Sequence, residues 1–180
     1  MEQLLSLEKI RFLVVDDLQF MRRIFRDVLR SFNARQIHTS PDGGDAFKAM
    51  RTFTPDIIIT DWDMEPVDGI ELTRMIRDPD YPESAFVPIV MATGNTEPRL
   101  IAKARDAGVT EVIGKPFTAK ALYSRIDEAI QRPRPFVRSE TFFGPDRRRH
   151  KHAAYEGPFR RRDDPKATRP ENPEDDRWRK

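Results

Sequence analysis

Ile57-Ile58-Ile59-Thr60-Asp61-Trp62-Asp63-Met64 decides the fold. Three β-branched residues run into a carboxylate, and a loop follows. An apolar run without polar alternation is the mark of a strand covered on both faces, as in a parallel sheet flanked by helices. Open α/β sheets bind their ligands beyond the carboxyl ends of such strands, which is where Asp61 falls. Three other runs end in the same manner. Phe12-Leu13-Val14-Val15 ends in Asp16-Asp17, Ile89-Val90-Met91-Ala92 in Thr93-Gly94, and Val109 to Ile113 in Gly114-Lys115-Pro116. Four strand ends thus bring three carboxylates, a hydroxyl and an ammonium to one edge.

Between these strands lie helical patterns. Leu18, Met21, Ile24, Phe25, Val28 and Leu29 repeat at helical spacing, with Arg22, Arg23 and Arg26 on the other face, where they read as solvated. Gln36–Thr39 reads as a short second strand and Asp45 to Arg51 as a second helix, after a turn at Ser40 to Gly44. Asp68 is placed to cap a third helix, Pro98 opens a fourth and Gly108 ends it, and Thr118 to about Gln131 forms a fifth. The first ten residues read as a short helical lead-in. Alternation of strands and helices predicts a doubly wound parallel sheet of five strands.

The chain has 180 residues, no cysteine and a formal net charge of +2. That length holds one domain with an appendage. Without cysteine there is neither a disulfide framework nor a thiolate metal site. No apolar run reaches the roughly 20 residues of a membrane span, and the start does not read as a secretory signal, so a cytoplasmic location is expected. The charge is uneven. Residues 133–180 carry 14 Lys and Arg against 9 Asp and Glu, which leaves 18 against 21 for residues 1–132. Seven of the 15 prolines also fall after residue 132. The expected organisation is a folded domain over 9–132 and a Pro/Arg-rich, disordered tail over 133–180.

The acidic edge has a definite chemistry. Asp16, Asp17 and Asp61 in close proximity repel one another, and a hard divalent cation relieves that repulsion. Mg²⁺ favours one or two carboxylates together with waters and phosphate oxygens. A carboxylate can accept a phosphoryl group as an acyl phosphate, and such a transfer depends on positioning and charge neutralisation. Lys115 can pair with phosphoryl oxygens, Thr93 can donate to one, and Gly94 leaves room beside it.

Val14-Val15-Asp16-Asp17, Asp61-Trp62-Asp63-Met64 with Asp68-Gly69, Met91-Ala92-Thr93-Gly94 and Lys115-Pro116-Phe117, in this order, make residues 9–131 resemble the receiver domain of bacterial two-component response regulators, close to the single-domain chemotaxis type. The resemblance implies a flavodoxin-like sheet of order 2-1-3-4-5. It implies Asp61 as phosphoacceptor, and Thr93 and Lys115 as switch hydroxyl and phosphate-binding lysine. Asp17 is then a direct Mg²⁺ ligand, Asp16 assists through water, and the backbone carbonyl of Asp63 completes the set. It implies a cis bond before Pro116, and, as partners, a sensor histidine kinase or histidine phosphotransfer protein with an output protein the sequence does not name. The chain departs from the pattern twice: Val112 stands where an aromatic is frequent, and Glu65-Pro66 where a proline usually comes one residue earlier.

The tail carries Arg147-Arg148-Arg149 and Arg160-Arg161-Arg162, in a faint repeat of 13 residues, with Phe142, Phe143, Tyr155 and Phe159 nearby. Arg forks and aromatic faces suit an anionic ligand such as a cyclic dinucleotide. Acidic residues dilute the charge, so DNA is not the expected partner. No folded DNA-binding or enzymatic output domain fits into this segment. The rival to phosphorylation-controlled signalling is a constitutive interaction protein, or one that acts through ligand binding at the tail.

Overall fold

The computed structural model describes residues 5–78, 84–139 and 142–146. In chain order the elements are β1 (Arg11–Val15), α1 (Gln19–Ser31), β2 (Gln36–Ser40), α2 (Gly43–Ala49), β3 (Ile57–Asp61), α3 (Gly69–Ile76), β4 (Ile89–Thr93), α4 (Pro98–Ala107), β5 (Glu111–Gly114), α5 (Ala119–Gln131), β6 (Phe136–Arg138) and β7 (Phe143–Pro145). The first five strands form one parallel sheet of order β2-β1-β3-β4-β5. This is the doubly wound, flavodoxin-like architecture that the sequence leads one to expect.

The uninterrupted apolar strands follow from two covered faces. Phe12, Val14, Ile57 and Ile59 point into a core shared with Phe25 and Leu29 of α1 and with Leu122, Ile126 and Ile130 of α5. Leu13, Val15 and Ile58 point the other way, into a core shared with Ala46 of α2 and with Leu72 and Ile76 of α3. Trp62, Ile70, Met91 and Ala104 extend that second layer beneath α4. Full burial of one such side chain contributes about 1.5–3 kcal/mol, so every strand residue between the layers has reason to be apolar.

Local boundaries differ from the sequence reading where a cap intervenes. Asp42 accepts from the amides of Gly44 and Asp45, so α2 starts at Gly43, inside the expected turn. Asp68 caps α3 as expected and forms a capping box with Glu71. Leu18 is not an inward helical residue. It precedes α1 and is 57% exposed, and its neighbour Phe20 is 72% exposed. No helix forms over residues 5–10; Leu7 and Ile10 are instead buried beneath α1 and α5 as irregular chain. The peptide bonds before Pro116 and Pro66 are both cis.

The chain past Pro133 departs most from expectation. Its first part pairs antiparallel as β6–β7, closed by the amide of Ser139 on the carbonyl of Phe142. Phe136 and Phe143, which look scattered in sequence, meet Phe86 with ring centroids 5.0 and 5.3 Å away. The buried Arg77 donates to the carbonyls of Gly108 and Ala85 and lies 5.1 Å over the ring of Phe136. Burial pulls its guanidinium down to about 9. Arg134 donates to the Thr110 carbonyl and to the Glu111 carboxylate. Gly108 sits at φ 103, and a Cβ on Gly144 would lie 2.9 Å from its Cα, so the hairpin needs glycine at this crossing. Among the described residues, packed structure thus continues past residue 132 as far as Asp146. The arginines at 147–149 and 160–162 lie outside the described residues.

Phe136→Ala is expected to lower the unfolding free energy of the full chain by about 2 kcal/mol, less than a fully buried Phe because the ring is half-buried. Urea unfolding measures this, and a change below about 0.5 kcal/mol, the size of a surface substitution, shows that the hairpin adds nothing to the fold.

Candidate functional site

Parallel pairing in register places the ends of β1, β3, β4 and β5 side by side, and with them Asp16, Asp61, Thr93 and Lys115. One carboxylate oxygen each from Asp16, Asp17 and Asp61 lies within 4.8 Å of the others. Asp16 and Asp61 are buried, whereas Asp17 is exposed. Lys115 reaches across from the end of β5, its Nζ 2.9 Å from Asp16 Oδ2 and 3.0 Å from Asp61 Oδ2. The Lys115 amide donates to the Thr93 carbonyl at 2.7 Å, which ties the ends of β4 and β5 together.

Each acid is held by more than its strand. Asp16 Oδ1 accepts the Leu18 amide at 3.0 Å and Asp61 Oδ1 accepts the Trp62 amide at 2.7 Å. The loop after β3 closes tightly, with the Gly69 amide on the Trp62 carbonyl at 3.0 Å. A Cβ on Gly69 would lie 2.1 Å from the Asp61 carbonyl oxygen, so this residue has no room for a side chain. Asp63 follows on the exposed loop. Thr93 is buried, and its hydroxyl both accepts from the Asn95 amide and donates to the Asn95 carbonyl. Nothing lies within 4 Å of a Cβ placed on Gly94, so there is open space beside Thr93. Val112 packs half-buried against the cluster of Trp62, Ile70 and Met91.

Burial raises the Asp61 carboxyl above its ordinary value of 3.8, and the Asp16 charge adds to the rise; the Lys115 bond and charge and the Trp62 amide offset only part of it. Burial pulls Lys115 down, but its bonds to Asp16 and Asp61 prevail and leave it raised. The cluster is therefore a strained arrangement of acids held by one ammonium. Its donors are hard oxygens, buried on two sides and open at Asp17, which suits a divalent cation with several retained waters.

The residues singled out in sequence at the strand ends are thus brought together. One partner was missed. Arg22, read as part of a solvated face, donates through Nη1 to the carbonyls of Asp16 and Asp17, at 2.5 and 3.0 Å. Its only sequence signal is its place in the first turn of α1, just after the acidic pair.

Comparison with known proteins agrees with this geometry. Residues 12–127 match the family model described as the response regulator receiver domain. The chain is 33% identical over 132 residues to the chemotaxis protein CheY-3 of Vibrio cholerae, covering 73% of this chain and 99% of that protein. It is 32% identical over 122 residues to the chemotaxis protein CheY of Pseudomonas aeruginosa, covering 68% of this chain and 97% of that one. Among solved structures it is similar to the chemotaxis response regulator CheY4 of Vibrio cholerae, with a TM-score of 0.61 and 26% identity over 66% of this chain and 97% of that one. No helix among the described residues is long and apolar enough to cross a membrane.

Because the folded Asp61 holds its proton more tightly than the unfolded one, stability falls as pH rises through the window above 3.8 and stays lower at neutral pH. In the absence of metal, Asp61→Asn is expected to melt above the parent at pH 7, and the difference should vanish as the pH is lowered below the ordinary carboxylate range. Thermal scans across that range in the presence of a chelator check this; a variant that melts lower at pH 7 contradicts the burial argument.

Proposed function

The chain belongs to the response regulator receiver domain family, and from that membership we propose that it is a phosphorylation-controlled signalling module whose phosphoacceptor is Asp61. The observation that carries this reading is the single ammonium of Lys115 bridging Asp16 and Asp61 at the strand ends. An Asp61 oxygen attacks phosphorus, the new bond makes an acyl phosphate, and the bond to the donor breaks. For a phosphohistidine donor the leaving group is the imidazole, on a sensor kinase or a phosphotransfer protein.

In this reading Asp17 and Asp61, with the Asp63 carbonyl, would hold Mg²⁺, and Asp16 assists. Bound Mg²⁺ supplies neutralisation of the charge on the transferring oxygens. Lys115 gives up its hold on Asp61 and pairs with the phosphoryl group instead. Thr93 exchanges its bonds to Asn95 for a bond to a phosphoryl oxygen, and the open space at Gly94 allows that turn. The change in the loop after β4 is then what a partner reads. Val112 lacks the rotamer travel of an aromatic, so that loop rather than a swinging ring on β5 carries the change. Cytoplasmic location and a histidine kinase as donor fit this chemistry.

Incubation of the full chain with Mg²⁺ and acetyl phosphate is expected to label the parent and not Asp61→Asn; equal labelling of both refutes the assignment. Beryllofluoride with Mg²⁺, a phosphoryl mimic, is expected to slow amide exchange around Thr93 to Asn95. If the exchange is unchanged, the protein is a constitutive interaction module instead.

Asp17→Ala is expected to weaken Mg²⁺ binding at least tenfold, about 1.4 kcal/mol. Calorimetric titration measures this, and equal affinity in variant and parent rejects Asp17 as a ligand.

A further inference from the structure

Arg22 occupies a position that helix physics disfavours. It stands in the first turn of α1, where the macrodipole is positive and a cation is unfavourable. The helix offers no compensation of its own: its first turn has no acidic residue, and its N-cap residue, Leu18, makes no side-chain cap bond. What Arg22 does have is two carbonyls outside the helix, those of Asp16 and Asp17.

We infer that Arg22 is a positioning residue that grips the Asp16–Asp17 backbone from the α1 side so that both carboxylates are presented to Asp61. The inference rests on the reading of Asp16, Asp17 and Asp61 as the Mg²⁺ site. The dipeptide is held at four points. The Asp16 amide donates to the Ser40 carbonyl at 3.3 Å, Asp16 Oδ1 accepts the Leu18 amide, and Asp16 Oδ2 accepts Lys115. Arg22 supplies the fourth and is the one that reaches Asp17. The Asp17 side chain is exposed, and among the described residues no protein group is shown to fix it. The place of its carboxylate is therefore set by its backbone, and the Arg22 bond to its carbonyl constrains that backbone. The carbonyls engaged with Arg22 cannot turn outward, so the loop cannot roll Asp17 away from Asp61.

The sign of the effect separates this role from simple charge. A cation beside a divalent-metal site repels the metal, so removing its charge alone would strengthen Mg²⁺ binding. Removing a group that orders the ligands weakens it, typically tenfold or more when the support of a metal ligand is lost.

The test is a Mg²⁺ titration of the full chain, followed by the fluorescence of Trp62, whose amide is bonded to Asp61. Trp178→Phe removes the other tryptophan in every variant. Arg22→Gln is expected to lose about tenfold in Mg²⁺ affinity and to speed exchange of the Leu18 amide, with an unchanged metal-free urea midpoint. Arg23→Gln removes the same charge from the neighbouring position, where the side chain is 76% exposed and pairs only loosely with Asp27 at 3.8 Å. It is expected to leave the affinity unchanged or slightly tighter. Unchanged or tighter binding in Arg22→Gln overturns the inference, as does an equal loss in Arg23→Gln. If the parent itself binds no Mg²⁺, the reading of the site fails, and the inference stands or falls on Leu18 exchange alone: exchange no faster than in the parent overturns it.

Discussion

The ammonium of Lys115 between Asp16 and Asp61 is the interaction on which the rest depends. Two buried carboxylates at adjacent strand ends repel each other across a medium of low polarity. With the lysine between them, one of their two charges is balanced and each carboxylate has a cationic partner, and the sheet can bring β1, β3 and β5 together at that end. The arrangement is also replaceable, because a dication can assume the same task and release the lysine for another anion. Stability without metal and readiness to accept one thus have the same physical origin.

Rigidity around the cluster is uneven, and the unevenness is informative. Asp61 is held by its own strand, by the Trp62 amide and by a loop so close that Gly69 has no space for a methyl group. Asp16 is held on both carboxylate oxygens. Asp17 is exposed and held through its backbone, by Arg22, and Thr93 is tied to its own loop beside an open space.

Most of the sheet and most of the site were legible in the sequence because both follow from short-range rules. An apolar run such as Ile57-Ile58-Ile59 has no stable place except between two covered faces. The chemistry-bearing residues come directly after such runs, so parallel pairing brings them together without further information. What was not legible depends on contacts distant in sequence. Arg22 looks like any solvated helix cation until its helix is laid against the loop before it. Phe136 and Phe143 have no periodicity, and their meaning appears only when Phe86 and Arg77 are brought beneath them. Leu18 fits the helical spacing, yet it precedes the helix and faces outward. Periodicity assigns a face but not where the helix begins, and the Asp16 side chain, by taking the Leu18 amide, sets that start.

The hairpin also bears on how this protein can be divided. It meets Gly108, which ends α4, and Arg134, just before it, bonds Thr110 and Glu111, where β5 begins. Asp16, Asp61 and Lys115 stand at the opposite pole, where the strands finish. The family match spans residues 12–127 and stops short of the hairpin, so a boundary drawn there leaves Phe86 and Arg77 without the rings of Phe136 and Phe143. A transplantable unit must therefore include the hairpin with the sheet. A graft cut at the last turn of α5 inherits the chemistry of the upper pole but a bare base.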